Sequence, residues 1–266
     1  MVQNKGLIFK EVPTHAPIAG KHLVIESRDF HPSQSPPANG AIVKGLYFSL
    51  DPYMRGRMRA PDLKSYTPPY PLGEPVTAYS LVQVLQSSSA KFSPGDIVFG
   101  RFPVEEYSAV SEAILAQETV CKVENPHGLP LSHFLGILGM TGLTAYSSLY
   151  EIGDPKRGET IFISSAAGAV GQIVGQIAKH EGLRVIGSVG DDAKLDFIVN
   201  ELGFDGGFNY KKEKPADALQ RLAPDGIDIY HENVGGEQLE AAIDALNNWG
   251  RIGMVSCIPP LDHSSY

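Results

Sequence analysis

TIFISSAAGAVG, residues 160–171, is the stretch that decides the fold of this chain. Its apolar run, residues 161–163, is typical of a central parallel strand that is covered on both faces. Small residues follow at once, Gly168 and Gly171 among them, and a helical pattern of apolar residues begins at Val170. In such a strand, turn and helix, free backbone N–H groups and the positive end of the helix dipole meet at one point. The stretch therefore predicts a site for an anion such as a pyrophosphate.

The glycine pattern of this stretch is close to the dinucleotide fingerprint but incomplete. The fingerprint reads G-x-G-x-x-G, whereas Ala166 stands at its first position and leaves A-x-G-x-x-G. Small residues at these positions also serve close packing between a helix and a sheet. Two interpretations therefore stay open, nucleotide binding and packing alone, and we favour nucleotide binding.

Length and composition argue against several classes of protein. The 266 residues suffice for one large or two ordinary domains, and a net charge of −8 without a basic block argues against nucleic acid as a partner. The chain has two cysteines, no leader-like apolar segment at its start, and no apolar run near the roughly 18 residues of a membrane span. We expect a soluble, cytoplasmic protein without disulfides and without a membrane partner.

The first part of the chain, to about residue 125, is rich in proline and glycine and has short segments of alternating polarity. These segments lie at residues 23–26, 41–49, 80–86, 96–99 and 107–110. Short strands separated by turn residues are typical of a small β-barrel. We therefore predict a β-dominated barrel domain over residues 1–125.

The second part, residues 126–258, alternates strand and helix patterns. Strands are predicted at 160–164, 184–189, 207–210, 227–232 and 250–255, and helices at 169–181, 192–202, 216–222 and 237–246. With right-handed crossovers, this order predicts an α/β fold, a Rossmann-type doubly wound parallel sheet with helices on both faces. The dinucleotide version of this sheet usually has a sixth strand, and the tail, residues 259–266, has no regular pattern.

The end of the second strand of this sheet bears on which dinucleotide is bound. NAD-binding units place an acidic residue there for the ribose 2′-hydroxyl, whereas this chain has Gly190, followed by Asp191, Asp192 and Lys194. Gly190 leaves room for a 2′-phosphate, with which the Lys194 ammonium can pair. The two aspartates are either the ribose acid or caps of the next helix, and we favour caps because they lie past the strand end. One charge-assisted contact of about 1.5 to 3 kcal/mol predicts a roughly ten- to hundredfold preference for NADP.

Five motifs spread over nearly the whole chain form a recognisable set. They are SLDPYMRGRM at 49–58, GMTGLTAY at 139–146, AAGAVG at 166–171, FNY at 208–210 and ENVGG at 232–236. This set resembles the zinc-independent medium-chain dehydrogenase/reductases, and within them the prostaglandin reductase and alkenal double-bond reductase branch. The resemblance implies a GroES-like barrel in the N-terminal part. It also implies hydride transfer from NADPH to the β-carbon of an α,β-unsaturated aldehyde or ketone.

The resemblance further implies which residues contact NADP. These residues are Ala167, Gly168, Ala169, Val170, Gly171, Gly190, Lys194, Tyr210 and Asn233. Met140 and Thr141 would border the nicotinamide, and a role in helix packing is an equal alternative for both.

We expect no metal ion where the substrate reacts. A catalytic zinc site of the alcohol dehydrogenase type needs Cys and His ligands, a structural one needs four clustered cysteines, and the N-terminal part has one cysteine, Cys121. Without a Lewis acid, hydrogen bonds must polarise the substrate carbonyl, whose oxygen becomes an enolate as hydride arrives. Tyr53 is the candidate donor. A buried tyrosine with a satisfied hydroxyl is the alternative for Tyr53, and Arg55 is expected to be structural or to support the site without touching the substrate.

The C-terminal sequence departs from the resembling family. SCIPPLDHSSY at 256–266 stands where a glycine-serine-tyrosine-asparagine pattern is expected, so a pocket role is not carried over to Tyr266. We expect the family's C-terminal segment to be absent, and with it an edge strand that commonly builds the dimer, which makes a homodimer doubtful. Two alternatives to enal or enone reduction stay open: quinone reduction, and NADPH binding without catalysis because of the shortened C-terminus.

Overall fold

The structure of the protein is a computed structural model, and it describes residues 1–255. Contacts divide the chain into two compact units, Met1–Gly136 and the residues from Ile137 onward. The sequence pattern predicts the boundary between the two domains near residue 125, whereas the contacts place the boundary between the two units after Gly136. The predicted irregular tail, residues 259–266, lies outside the described residues, and the homodimer stays a prediction.

The first unit is built on antiparallel strands, as its alternating segments predict. β1 pairs with β2, and the other strands form a five-stranded sheet in the order β6-β3-β4-β5-β7. The elements in chain order are β1 (Val2–Phe9), β2 (Leu23–Phe30), β3 (Ala41–Phe48), α1 (Tyr53–Arg57), β4 (Thr77–Ser87), β5 (Ile97–Pro103), β6 (Tyr107–Val110), α2 (Glu112–Leu115), β7 (Cys121–Lys122) and a 3₁₀ turn (Leu131–Phe134).

An apolar cluster fixes α1, the short helix that begins at Tyr53, against the strands of this unit. The buried members of the cluster are Phe9, Met54, Met58, Tyr70, Val76 and Ala78, and Tyr53 packs against them. Burial of large apolar side chains stabilises a fold by about 1.5 to 3 kcal/mol each. Packing of Tyr53, Met54 and Met58 in this cluster therefore holds the helix that carries the candidate donor.

The second unit alternates strands and helices. In chain order, its elements are α3 (Met140–Ser147), a π-helical turn (Ser148–Gly153), β8 (Thr160–Ile163), α4 (Ala169–Glu181), β9 (Arg184–Val189), α5 (Asp192–Asp196), a second π-helical turn (Phe197–Glu201), β10 (Gly206–Asn209), α6 (Pro215–Leu222), β11 (Ile227–Glu232), α7 (Gly236–Ala245) and β12 (Leu246–Met254). The bounds of α4, β9 and β11 are those predicted from the sequence.

The sheet of the second unit is parallel, with the strand order β10-β9-β8-β11-β12. Counted from β8, this order is 3-2-1-4-5, the order of the doubly wound dinucleotide fold, and the predicted α/β fold class is confirmed. The strand order reverses between β8 and β11. In such sheets, ligands bind outside the carboxyl ends of the strands at this switch point.

The core explains why residues 161–163 are apolar without interruption. Ile161 and Ile163 are buried on one face with the α4 residues Val174 and Ala178. Phe162 is buried on the opposite face, where its ring stacks on Tyr230 with centroids 5.0 Å apart. A strand covered on both faces keeps no polar alternation.

Among residues 1–255, no helix is both long and apolar enough to cross a bilayer.

Candidate functional site

The turn between β8 and α4 leaves the start of the helix open. Gly168 is in an extended conformation, with φ −72° and ψ 167°, and in the described chain no side chain caps α4. Bonding into the helix starts where the Gln172 N–H donates to the Gly168 carbonyl at 3.0 Å. The N–H groups of Ala169, Val170 and Gly171 come before it, in the first turn, whose donors have no partner inside a helix. These donors suit an anion such as a pyrophosphate.

Close packing around the same turn explains its small residues. A Cβ at Gly171 would lie 2.5 Å from the Ser165 carbonyl oxygen, so α4 can approach the turn only with glycine there. Ala166 is fully buried, and a Cβ at Gly187 in β9 would lie 2.6 Å from the Ala166 Cβ. Alanine therefore fits at the first fingerprint position because β9 has a glycine opposite it. Packing and an open helix start are combined in one turn, so the two interpretations do not exclude each other.

One residue of the turn has an unusual backbone. Ser165 has φ +51°, in the left-handed region. A residue other than glycine in this region costs on the order of 1 to 3 kcal/mol, and such residues cluster at ligand sites. The Ala166 N–H donates to the Ser188 carbonyl at 2.9 Å, which brings the turn next to the end of β9.

The two aspartates after β9 are engaged within the protein. Asp191 Oδ1 accepts from the Lys194 backbone N–H at 2.8 Å, so Asp191 is the N-cap of α5 and its predicted role is confirmed. Asp192 accepts hydrogen bonds from the Lys212 ammonium and from Asn209 Nδ2, and the bond from Lys212 is the main reason that the pKa of Asp192 is lowered. Both carboxylates therefore already have partners within the protein.

Three of the residues predicted to contact NADP, Gly190, Lys194 and Tyr210, follow the carboxyl ends of β9 and β10. Lys194 Nζ has one ion pair, 3.7 Å from Asp191 Oδ2, and the side chain is 61% exposed. A pair of this kind contributes little, about 0 to 1 kcal/mol, so the ammonium remains available. A Cβ at Gly190 would lie 3.0 Å from Tyr210 Oη, which shows that Tyr210 packs over Gly190. Contacts of Gly190, Lys194 and Tyr210 with NADP stay predictions.

A chain of hydrogen bonds joins the carboxyl ends of β8 and β11. Asn233, just after β11, donates from Nδ2 to the Ser164 carbonyl at 2.8 Å, and its backbone N–H donates to Ser164 Oγ at 2.8 Å. Asn233 Nδ2 also lies 3.1 Å from His231 Nδ1. On its other side, His231 Nε2 lies 2.8 Å from Ser148 Oγ. Asn233, the predicted cofactor residue of the ENVGG motif, is therefore held by the protein through its amide nitrogen.

The same chain of bonds reaches the helix that carries Met140 and Thr141. Ser148 Oγ donates to the Thr144 carbonyl at 2.7 Å, in the last turn of α3. Met140 and Thr141 form the first turn of α3 and are half-buried. Both interpretations of these two residues, at the nicotinamide and in helix packing, stay open.

Tyr53 lies in the first unit with a hydroxyl that has no partner among residues 1–255. Its Oη is buried and makes no hydrogen bond among the described residues, so these residues supply no partner for the alternative of a satisfied hydroxyl, and the role of Tyr53 stays a prediction. Burial raises the pKa of Tyr53 to about 12, and the nearby Arg101 charge partly opposes the shift. Arg55 donates to the His15 carbonyl at 2.8 Å and to the Pro13 carbonyl at 3.3 Å, so its predicted structural role is confirmed.

Arg101 in β5 is a neighbour of Tyr53 that sequence reasoning missed. Its Cζ lies 5.8 Å from the centre of the Tyr53 ring and 5.0 Å from that of Tyr79. Its Nε is buried without a partner in the described chain, as is Asp51 Oδ2. The available signal was a single arginine in the otherwise uncharged strand IVFGRFP.

Within residues 1–255, no three His, Cys, Asp or Glu side chains come together as a metal site.

Two family models match the chain. Residues 23–117 match the model described as the N-terminal domain of oxidoreductase, and residues 169–264 match the model described as zinc-binding dehydrogenase. Together they span both units.

Two relatives resemble nearly the whole chain. The NADP-dependent oxidoreductase RED1 of Cochliobolus heterostrophus is 54% identical over 259 residues, which cover 96% of this chain and 73% of RED1. The 2-alkenal reductase (NADP(+)-dependent) of Nicotiana tabacum is 44% identical over 261 residues, which cover 96% of this chain and 74% of the tobacco protein.

Solved structures agree with this comparison. CurA from Vibrio vulnificus in complex with NADPH has a TM-score of 0.80 at 34% identity, over 93% of this chain and 70% of CurA. A quinone oxidoreductase from Pseudomonas syringae has a TM-score of 0.65 at 22% identity, over 91% of this chain and 70% of that protein, and supports the fold alone.

Proposed function

Because this chain belongs to the zinc-independent medium-chain dehydrogenase/reductases, in their alkenal reductase branch, we propose that it is an NADPH-dependent reductase of activated C=C bonds. The proposed substrates are small α,β-unsaturated aldehydes and ketones. The names of RED1 and of the tobacco relative support an NADP-dependent oxidoreductase, and the tobacco name supports the alkenal substrate.

One observation carries the cofactor half of this proposal: the carboxyl ends of β8 and β9 fit a dinucleotide with a 2′-phosphate. The first turn of α4 supplies N–H donors for a pyrophosphate. Lys194 supplies a cation, and both aspartates beside it are already engaged. NADPH bound there supplies the hydride.

Tyr53 is proposed as the donor to the substrate carbonyl. With a pKa of about 12, its hydroxyl stays protonated at neutral pH and can donate to an oxygen. That oxygen gains negative charge as hydride reaches the β-carbon, so the bond is stronger in the transition state than in the ground state. Because Oη is buried, this role requires the side chains around it to give way to the carbonyl.

A panel of acceptors tests the proposal. The protein is mixed with NADPH and a 2-alkenal, an enone or a quinone, and loss of the reduced nicotinamide absorbance is followed, with NADH as the parallel cofactor. We expect oxidation with the enal and the enone, and a higher kcat/KM with NADPH than with NADH. If NADPH binds but none of these acceptors oxidises it, the result would favour an NADPH-binding protein without catalytic activity. Oxidation by the quinone alone would favour a quinone reductase.

A further inference from the structure

We propose that His231 is a positioning residue for the cofactor. Through its Nδ1 acceptor, His231 holds the Asn233 carboxamide in the orientation that presents Oδ1 to a hydroxyl or amide hydrogen-bond donor of NADPH. The inference rests on the proposed function in one respect, the contact of Asn233 with the cofactor.

The orientation of the Asn233 carboxamide follows from its partners. A backbone carbonyl can only accept, so the group 2.8 Å from the Ser164 oxygen must be Nδ2 and not Oδ1. The second hydrogen of Nδ2 points to His231 Nδ1 at 3.1 Å. Both donors of the carboxamide are therefore used inside the protein.

Oδ1 is the group that remains for a ligand. In the described chain, no residue donates to Asn233 Oδ1, and Oδ1 is not among the buried side-chain atoms that lack a partner. An accessible acceptor at the end of β11, beside β8, lies at the switch point where this class of sheet binds ligands. It recognises a donor, such as a ribose hydroxyl or a carboxamide NH₂ group, and it disfavours a phosphate oxygen.

The His231 ring is itself fixed in one tautomer. Because Nδ1 accepts from Asn233, the ring proton is on Nε2, which donates to Ser148 Oγ at 2.8 Å. The Ser148 hydroxyl in turn donates to the Thr144 carbonyl at 2.7 Å. The ring is 1% exposed. Each group in the series therefore donates to the next, from Asn233 through His231 and Ser148 to the Thr144 carbonyl in α3. This series fixes Nδ1 as the acceptor for Asn233.

Two substitutions distinguish a role of His231 in positioning Asn233 from a general structural role of the ring. In His231→Asn, the new Oδ1 is as many bonds from the backbone as His Nδ1 and keeps the acceptor for Asn233, while the bond to Ser148 is lost. In His231→Gln, the new Nε2 keeps the donor for Ser148, while the acceptor for Asn233 is lost. Each variant removes one of the two bonds of the ring and retains the other.

The measurement is the Kd for NADPH by fluorescence titration, with thermal unfolding as the control for folding. We expect His231→Gln to bind NADPH about tenfold more weakly than the wild type, and His231→Asn to stay within about threefold. Equal loss of affinity in the two variants, or no loss in either, would overturn the proposal. If His231→Gln does not fold, His231→Phe removes the Nδ1 acceptor while keeping a planar ring, and an unchanged Kd in that variant would be the contrary result.

A double-mutant cycle keeps the failure of the inference apart from that of the proposed function. In an Asn233→Ala background, His231→Gln should change the Kd by no more than about twofold, because the group it positions is gone. If Asn233→Ala binds NADPH like the wild type, Asn233 does not contact the cofactor and the inference fails. Oxidation of NADPH by an enal in the wild-type protein tests the proposed function separately.

Discussion

At the residue scale, the site depends on single side chains with unusual partners. Asp191 could be predicted as a cap because its position after a strand and before a helix is visible in the sequence. Tyr53 could be named from its motif, but the missing partner of its hydroxyl could not. Arg101 and His231 were missed because their partners lie far away in sequence, at Tyr79 and at Ser148.

Tyr53→Phe separates catalysis from stability. Loss of a donor to a developing oxyanion should lower kcat by about 10²- to 10³-fold. The Kd for NADPH should stay the same, and the free energy of unfolding should not fall, because removing a buried hydroxyl that lacks a partner among the described residues relieves a desolvation cost of about 1 to 3 kcal/mol. Enone reduction, NADPH titration and urea unfolding measure the three quantities. Tyr66→Phe, at a tyrosine that is 83% exposed, is the matched control. An unchanged kcat in Tyr53→Phe would make Tyr53 a structural residue.

His231 makes stability depend on pH. Burial lowers its pKa to about 4 in the folded protein, against about 6.5 in the unfolded chain. Below pH 6.5 the unfolded chain binds a proton that the folded protein does not, so this contribution is complete above pH 6.5 and is lost as pH falls toward 4. Between pH 7 and pH 5, the loss from this residue is about 2 kcal/mol. Urea unfolding at both pH values should show that loss in the wild type but not in His231→Gln. The same loss in both proteins would assign it to other groups.

At the scale of elements, the sequence predicted most of the second unit. The bounds of α4, β9 and β11 agree because apolar runs, small residues and Gly182 mark them locally. The predicted helix 192–202 is instead α5 followed by a π-helical turn, a change of hydrogen bonding that periodicity does not reveal. β1 was missed because residues 3–5 are polar and give no clear alternation. Asn4 is nevertheless buried, because its Nδ2 donates to the Tyr107 carbonyl at 2.7 Å.

Lys194→Ala tests what the start of α5 contributes to cofactor choice. Loss of one charge-assisted contact with a 2′-phosphate should weaken NADPH binding about ten- to a hundredfold and leave NADH binding nearly unchanged. Parallel titrations with the two cofactors measure the difference. Lys156→Ala is a matched control, because Lys156 is also well exposed and also lies 3.7 Å from one aspartate, but it precedes β8 at the opposite end of the strand. An equal loss of affinity for NADPH and NADH in Lys194→Ala would show that Lys194 does not contact the 2′-phosphate.

At the scale of the whole molecule, the sequence predicted two structural classes, an antiparallel N-terminal part and a parallel sheet. A regular alternation of strands and helices with right-handed crossovers predicts a doubly wound parallel sheet, but not the order β10-β9-β8-β11-β12, because other orders such as 2-1-3-4-5 obey the same rules. The choice of substrate is not specified in this way, because a binding pocket is lined by side chains from segments that lie far apart in sequence. The central claim is therefore chemical: the protein reduces a C=C bond that is conjugated to a carbonyl.

Deuterium transfer tests that claim most directly. The protein is incubated with an α,β-unsaturated ketone and NADPH that carries deuterium at the transferable C4 position, and the product is examined by NMR. We predict a saturated ketone with the deuterium on its β-carbon and the carbonyl intact. Deuterium on the carbonyl carbon, in an unsaturated alcohol, would contradict the account, and so would NADPH that binds without any transfer to the enone.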